Sequence, residues 1–430
     1  MATALITRSI LSLTISALWG HGTDLPSLHT SIQSRMSTIW PSYHMSAFNF
    51  QVDSFRGKRS RDAKNAIIES FDYLDLQGPI VMATSPENPV VHTFLISEEY
   101  ALRRPGEPYI EPKRFFFSRL LAASSRDVVA KYDLKKRFYI STTSMDAELA
   151  LVTANLALAG RGKVHYDPFT GTGSFPIACA HFGSCVLGSD LDGRSIRGAG
   201  KSKGKGATRE ERSVRGNFGQ YGLLANYLDG VVADLTNTPL RSGRDAVSTM
   251  AELGTATRIT GRWIDGICCD PPYGVREGLK VLGSVKEELQ SEVMLKDGRP
   301  AHLVEGYIPP KRAYSFEAML ADILSFAFHT LVDGGRLCMW MPTANDEDME
   351  LAIPKHPGLQ LVASCVQEFN KWSRRLLTWQ RLGDGQVDWD EVASWERSDG
   401  LKTGTADQLN QFRRKFFEGF KEQQESVMTK

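Results

Sequence analysis

The pattern of hydrophobic and polar positions along the chain changes near residue 138. Before it the apolar stretches are short: FNFQVDSF (48–55) and PIVMAT (79–84) resemble strands, and DAKNAIIESFDYL (62–74) has helical spacing. After it, strand-like and helical segments alternate, which is typical of a parallel sheet covered by helices. The strands predicted in this second part are KVHYD (163–167), SCVLGSD (184–190), VVADL (231–235), WIDGICCD (263–270) and GRLCMWM (335–341).

The two patterns predict a domain organisation. We place a small α+β domain at residues 1–135, an α/β domain at 136–382 and a charged, helical C-terminal tail at 383–430. The α/β domain opens with a helix in STTSMDAELALVTANLAL (141–158), where Thr143 and Asp146 form a capping pattern. Segment 277–312 is predicted as a long loop, and DQLNQFRRKFFEGFKE (407–422) as an amphipathic helix.

Composition restricts how the chain can bind nucleic acid. Of its 430 residues 42% are hydrophobic, an ordinary globular share, and the net charge is only +1. Nucleic-acid binding must therefore come from local basic clusters rather than from bulk charge. The N-terminal domain carries three such clusters, within 56–61, 103–104 and 113–114, which together predict an RNA-binding face. We place that face at Arg56, Lys58, Arg59 and Arg61, and the alternative is an ordinary solvated surface.

Cysteine usage and hydropathy bear on metals, membranes and location. The six cysteines contain no C-x-x-C pair, so we expect no metal site in this chain. The chain has no apolar run of about 18 residues, so we expect no membrane span. We expect a cytoplasmic protein. The alternative is a mitochondrial presequence in residues 1–23, which include Arg8 and precede the first acidic residue, Asp24.

The sharpest motif is DPFTGTGSF (167–175), a Gly-rich turn between a predicted strand and a predicted helix. A dinucleotide site would favour G-x-G-x-x-G, whose third Gly is missing here, and Asp167 would repel a phosphate. The same carboxylate attracts an ammonium group, which S-adenosylmethionine carries. Asp190 ends the next predicted strand, where an acceptor for ribose hydroxyls belongs. The alternative is a structural turn whose acids cap helices.

A second motif, DPPYG (270–274), follows an apolar predicted strand. Its two prolines end the strand and fix the backbone carbonyls in a rigid loop. Asp270 and the Pro271 carbonyl can accept the two N–H groups of an exocyclic amine, while Tyr273 stacks on the base. The motif therefore predicts an amine methylation site, in which Asp270 stabilises developing positive charge. The alternative is a turn that merely ends a strand.

Four segments carry a family resemblance. They resemble the eukaryotic tRNA (guanosine-10, N2) methyltransferase catalytic subunit family, and NKWSRRLLTW (370–379) is similar to it as well. The segments are DPFTGTGSFPIACAHFG (167–183), GSDLDGRSIRG (188–198), DLTNTPLR (234–241) and DPPYGVREG (270–278).

The resemblance implies a Rossmann-like, seven-stranded class I methyltransferase domain preceded by a smaller THUMP-type RNA-binding domain. It implies S-adenosylmethionine as methyl donor, tRNA as substrate, and a small zinc-binding activator subunit as partner. Residues 143–146 would edge the donor pocket. The implied donor-binding residues are Asp167, Phe169, Gly171, Gly173, Asp190 at the ribose and Asp234 near the adenine, and the implied catalytic residues are Asp270, Pro271, Pro272 and Tyr273.

One departure and several rival functions stay open. ALWGHGTDLPSLHTSI (17–32) resembles a stretch that family members carry further into the chain, so we expect an N-terminal domain without its opening strands. The rivals are amine methylation of ribosomal RNA or DNA, and an RNA-binding scaffold without catalysis. A protein glutamine methyltransferase would typically carry Asn where this chain has Asp270.

Overall fold

The computed structural model divides into two compact units, Met1–Val128 and Val129–Lys430. The structure describes residues 1–84, 87–102, 111–198, 208–242, 261–274, 279–284, 293–304, 307, 310–344, 353–369 and 372–398.

The first unit is a four-stranded sheet with helices, in the strand order β1-β4-β3-β2. Strand β4 pairs antiparallel with β1 and β3, and β2 pairs parallel with β3. Its elements are α1 (Ala2–Ile6), β1 (Thr14–Gly22), α2 (Leu25–Met36), β2 (Phe48–Phe55), α3 (Arg61–Glu69), β3 (His92–Glu99) and β4 (Arg114–Ala123).

An aromatic core holds this unit together. The Trp19 ring of β1 lies 5.1 Å from the Phe94 ring of β3, and the Phe94 ring lies 5.7 Å from the Phe117 ring of β4. The predicted strand at 48–55 is confirmed as β2, whereas the strand predicted at 79–84 is wrong. That segment makes a single bridge, Ile80 to Phe48, because Pro79 has no N–H to extend the ladder.

The second unit contains the larger sheet. Its helices are α4 (Val128–Lys131, which starts at the last residue of the first unit), α5 (Ala147–Leu156), α6 (Ser174–His181), α7 (Gly193–Arg197), α8 (Val214–Tyr221), α9 (Phe316–Thr330) and α10 (Trp389–Ser398). Its strands are β5 (Val164–Asp167), β6 (Cys185–Asp190), β7 (Tyr227–Val232), β8 (Ile264–Cys269), β9 (Lys280–Leu282), β10 (Lys311–Ala313), β11 (Leu331–Ala344), β12 (Leu359–Glu368) and β13 (Trp372–Arg381).

The strand order of the seven-stranded sheet determines where a ligand can bind. The order is β12-β13-β11-β8-β5-β6-β7, and β13 runs antiparallel to both of its neighbours. From β5 the chain moves outward to β6 and β7, then returns to place β8 on the other side of β5. Ligands of open α/β sheets bind at such a switch point, at the carboxyl ends of the strands.

Several local predictions for the second unit need correction. The strand predicted at 231–235 instead covers Tyr227–Val232, because Asp234 caps a turn by accepting the Thr236 N–H at 2.6 Å. Asp146 alone caps α5, accepting from Glu148 N at 2.9 Å, so the capping pattern with Thr143 is wrong. The loop predicted at 277–312 contains β9, which pairs with β10. The helix predicted at 407–422 lies outside the described residues.

Candidate active site

Four carboxylates collect at one edge of the large sheet. Asp167 ends β5, Asp190 ends β6, Asp234 follows β7, and Asp270 follows β8. Because these four strands are neighbours and parallel, their carboxyl ends meet at the switch point. All four side chains line a cavity of about 350 Å³, which we call the donor cavity; Phe169 and Gly171 line it too. The structure thus brings together the predicted donor-binding residues, apart from Gly173, which is not among the lining residues.

The Gly-rich turn gives the cavity its floor. Thr170 Oγ1 donates to the Asp167 carbonyl at 2.8 Å, and Thr170 N donates to the Ser189 carbonyl at 2.9 Å. Gly171 and Gly173 adopt φ angles of 51° and 83°, in the left-handed region that favours glycine. A Cβ at Gly171 would meet only the Phe169 carbonyl, at 3.9 Å, so the backbone there is open to a ligand. Gly173 instead starts helix α6.

Asp167 is the most buried of the four, with 2% of its surface exposed. Its Oδ1 accepts the Phe169 N–H at 2.9 Å, while its Oδ2 has no hydrogen-bond partner among the described residues. Burial raises the pKa of this carboxyl well above its usual range, and the neighbouring Asp190 and Asp270 add to the shift. A buried acceptor without a partner is costly, so this oxygen is suited to a cationic donor from a ligand.

Asp190 and Asp234 are held by backbone amides. Asp190 accepts from Gly171 N and Asp192 N, each at 2.8 Å, and burial raises its pKa although these hydrogen bonds oppose the shift. Asp234 Oδ2 accepts the Leu282 N–H at 2.7 Å, which ties β9 to the cavity. A carboxylate offers about four lone-pair sites, so both side chains retain capacity for ribose or adenine hydrogens.

Asp270 and Tyr273 form the other wall. The Tyr273 hydroxyl donates to Asp270 Oδ1 at 2.5 Å, so the ring lies beside the carboxylate. Burial raises the pKa of Asp270 to about 6, against the lowering effects of Tyr273 and Arg374. Asp270 is therefore mostly ionised at neutral pH. Pro271 is buried and Pro272 is exposed, and both line the donor cavity.

A second cavity meets the first at this point. It has a volume of about 310 Å³ and shares Asp270 and Tyr273 with the donor cavity. Its other walls include Leu134, Asp146 and Arg374. We call it the acceptor cavity. Thr143, Ser144 and Met145 line both cavities, and Asp146 lines the acceptor cavity.

Some wall residues were missed by sequence reasoning. Leu279 and Val281, around β9, and Tyr314, before α9, give the donor cavity an apolar side. They lie in the segment predicted as a loop or just after it, where no motif marks them. Arg374 lies in NKWSRRLLTW, a segment whose sequence indicates no role for it, and its strand joins the sheet through long-range pairing.

Of the four residues predicted to bind RNA, three are exposed and one forms ion pairs within the first unit. Arg56, Lys58 and Arg61 are exposed. Arg59 is half-buried and donates through Nε to Glu98 at 2.8 Å and through a terminal nitrogen to Glu111 at 3.1 Å. The Glu98 side chain is fully buried, so the Arg59 charge is needed inside the unit.

Metal-binding and membrane-spanning features are absent from the described ranges. No group of three His, Cys, Asp or Glu side chains there could hold a metal ion. No helix there is long and apolar enough to cross a membrane.

Comparisons with known proteins agree with this geometry. A model described as the Tmrp11 THUMP N-terminal domain matches residues 1–126, and one described as an RMKL-like methyltransferase domain matches residues 135–295. Fold, site and family models together define a class I methyltransferase that carries a THUMP-type domain. The predicted fold class is confirmed.

Full-length relatives identify the family. The tRNA (guanine(10)-N(2))-methyltransferase of Saccharomyces cerevisiae is 42% identical over 383 residues, covering 88% of this chain and 81% of that protein. Human TRMT11, a tRNA (guanine(10)-N(2))-methyltransferase, is 31% identical over 430 residues, covering 97% of this chain and 84% of that protein. The chain belongs to the tRNA (guanine(10)-N(2))-methyltransferase family, as its motifs predicted.

Proposed function

We propose that this protein transfers a methyl group from S-adenosylmethionine to the exocyclic N2 of guanosine 10 in tRNA. The observation that carries the proposal is the meeting of two cavities at Asp270 and Tyr273. A methyl transfer needs one site for the donor and one for the acceptor, joined where the reacting atoms approach. Membership of the family supplies the choice of tRNA and of the guanosine amine.

The donor cavity suits a cationic nucleoside rather than a phosphate. Its acidic lining repels phosphate groups and attracts the ammonium and sulfonium charges of S-adenosylmethionine. The unpaired Oδ2 of Asp167 would accept the ammonium, and Asp190 would accept the ribose hydroxyls. Leu279, Val281 and Phe169 would cover the adenine, with Asp234 at its polar edge. When bound, S-adenosylmethionine supplies an electrophilic methyl group.

The acceptor amine would be held by the DPPY segment. Asp270 and the Pro271 carbonyl accept its two N–H groups, which aligns the nitrogen lone pair with the donor cavity. Asp270 can accept one of them while Tyr273 stays bonded to its Oδ1, because the carboxylate has further lone pairs. As positive charge develops on nitrogen, the ionised carboxylate stabilises it, and the product ammonium then releases its proton. Tyr273 also presents a ring face for stacking on the base.

The decisive assay uses an unmodified tRNA transcript and the same tRNA with inosine at position 10. Inosine lacks the exocyclic amine and is otherwise close to guanosine in shape. We expect N2-methylguanosine in the nucleoside digest of the first tRNA and no methyl transfer to the second, measured by mass spectrometry. Equal methylation of both tRNAs would contradict the proposed target amine, and methylation of ribosomal RNA alone would favour that rival substrate.

We propose that the exposed cations Arg56, Lys58 and Arg61 contact tRNA phosphates. Changing all three to alanine should weaken tRNA binding and reduce the slope of log affinity against log salt by about 0.7 to 0.9 per lost contact. Fluorescence anisotropy across a salt series measures both. The R59A variant is the comparison: because it leaves Glu98 buried and unpaired, it should lower the melting temperature. An unchanged salt slope in the triple variant would contradict this surface.

We also propose a small zinc-binding activator as a partner, docked on an edge of the large sheet. Support comes from the edge strand β7, where Leu228 and Val232 are 52% and 43% exposed. The L228K/V232K variant should lose co-purification with the activator, while L361K on the opposite edge strand β12 should retain it. The reverse pattern would assign the partner to β12.

We propose a cytoplasmic location. Residues 1–23 contain β1, and Trp19 lies in the core with 2% exposure, so cleavage of this segment would remove a strand from the first unit. A C-terminal fluorescent fusion found in mitochondria would contradict this location.

A further inference from the structure

Arg374 occupies a central position in the antiparallel part of the large sheet. It lies on β13, opposite Pro342 of β11 and Gln367 of β12. Its side chain reaches the wall of the acceptor cavity, where it is the cationic group among the described lining residues. Arg374 lies outside both the DPFTGTGSF and the DPPYG motif.

The guanidinium is held in a fixed orientation. Its Nε donates to Gln367 Oε1 at 2.6 Å, and its central carbon lies 4.7 Å from the centre of the Trp340 ring. Trp340 is itself fixed, because it is 3% exposed and its indole N–H donates to Thr153 Oγ1 at 3.1 Å. An arginine anchored on both sides loses little freedom when it makes further contacts.

From this anchor the guanidinium extends to the catalytic segment. It lies with Tyr273 and Asp270 on the wall of the acceptor cavity, and its charge lowers the pKa of both. Tyr273 in turn donates to Asp270 Oδ1. A relay thus runs from Arg374 through the Tyr273 hydroxyl to the carboxylate that faces the target amine.

Acidic and buried groups surround Asp270, and Arg374 is the cation among the described residues on the wall of the acceptor cavity. Asp167 and Cys269 lie within electrostatic range of Asp270, and Asp146 lines the same acceptor cavity. Burial raises the pKa of Asp270, and Tyr273 and Arg374 are the groups that lower it.

We propose that Arg374 is a positioning residue for methyl transfer: it anchors the Tyr273 hydroxyl and its charge stabilises the Asp270 carboxylate between the two cavities. This inference rests on the proposed function and adds a residue from β13 to it. Arg374 acts through Tyr273 and Asp270, and contact with the methyl donor is not required.

The test compares R374Q, R374K and the wild type, with R161Q as matched control, because Arg161 is exposed and precedes β5 at the opposite end of the sheet. We expect R374Q to lower kcat by about tenfold to a hundredfold. The acid limb of its kcat–pH profile should move up by about one pH unit, because a lost opposite charge raises a carboxyl pKa. R374K should keep the limb near its wild-type position, and R161Q should match the wild type.

Tyr273 provides a second, independent variant. Y273F removes the same relay without touching the guanidinium, so it should also move the acid limb upward. In a double-mutant cycle, R374Q and Y273F should lower kcat together by less than the product of their separate effects. This arm keeps the proposal testable if R374Q fails to fold.

Three results would distinguish a failure of the proposed function from a failure of the role assigned to Arg374. If wild-type enzyme makes no N2-methylguanosine, the proposed function fails before any variant is compared. If R374Q equals R161Q in kcat and in pH profile, the positioning role is overturned. If R374Q raises only the KM for tRNA and weakens its salt dependence, Arg374 is a phosphate contact and the proposal is likewise overturned.

Discussion

Replacement of Asp270 by alanine is expected to lower kcat for methyl transfer by about a hundredfold or more, while donor affinity changes little. Removal of one preorganised electrostatic group from a reacting centre typically costs this much. The Asp270 side chain faces both cavities, but its assigned role lies with the target amine rather than the donor ammonium. Single-turnover kinetics with saturating donor, together with calorimetric donor titration, measures the two quantities separately.

The rate of methyl transfer should also depend on whether Asp270 is ionised. Because burial raises the pKa of Asp270 to about 6, the wild-type rate should fall as the pH falls through about 6, when the carboxylate takes up a proton. D270N keeps the shape and one carbonyl acceptor but cannot ionise, so it should be slow and should lack this limb. A D270A enzyme that retains more than about a tenth of the rate would contradict the assigned role.

The second large effect is expected at Asp167. D167N should weaken donor affinity by about tenfold to a hundredfold, because a hydrogen bond to a charged group contributes about 1.5–3 kcal/mol. The amide oxygen can still accept the Phe169 N–H, so the local turn should persist. Isothermal titration with S-adenosylmethionine measures the loss, and D297N, at an exposed aspartate paired with Arg299, is the matched control.

Asp167 also predicts how stability varies with pH. Its folded-state pKa is raised, so the folded protein resists ionisation of this group more than the unfolded chain does. In the donor-free protein, the free energy of unfolding should therefore fall as the pH rises from about 4, the pKa of an aspartate in the unfolded chain, towards the raised pKa of Asp167 in the folded protein. D167N should remove that decline and melt at a higher temperature than wild type at neutral pH. A lower melting temperature across the whole range would contradict the buried, unpaired carboxylate.

The sequence predicts the core of the candidate site because its chemistry is local. Asp167 and Asp270 are recognisable from strand-ending motifs, and the α/β alternation predicts that such ends meet at one edge of a sheet. The sheet itself, with seven strands, follows from the family resemblance and is confirmed by the structure.

The remaining parts depend on contacts between distant residues, which no local pattern contains. Arg374 meets Tyr273 because β13 inserts between β11 and β12, and insertion of that kind cannot be inferred from periodicity. Arg59 resembles its exposed neighbours in sequence, yet it pairs with Glu98 of strand β3, which lies 39 positions further along the chain. The short strand β9 was missed because its length gives too few residues to establish alternation.

The hydrogen bond from Leu282 N to Asp234 connects the exchange rate of one backbone amide to the state of the donor cavity. One backbone amide of β9 is attached to a carboxylate on the wall of the donor cavity, so protection of that amide measures how firmly the cavity is closed on that side. Exchange of the Leu282 amide hydrogen for deuterium should therefore slow when a donor occupies the cavity. The amide reports the opening of the cavity itself, independently of the chemical step that follows.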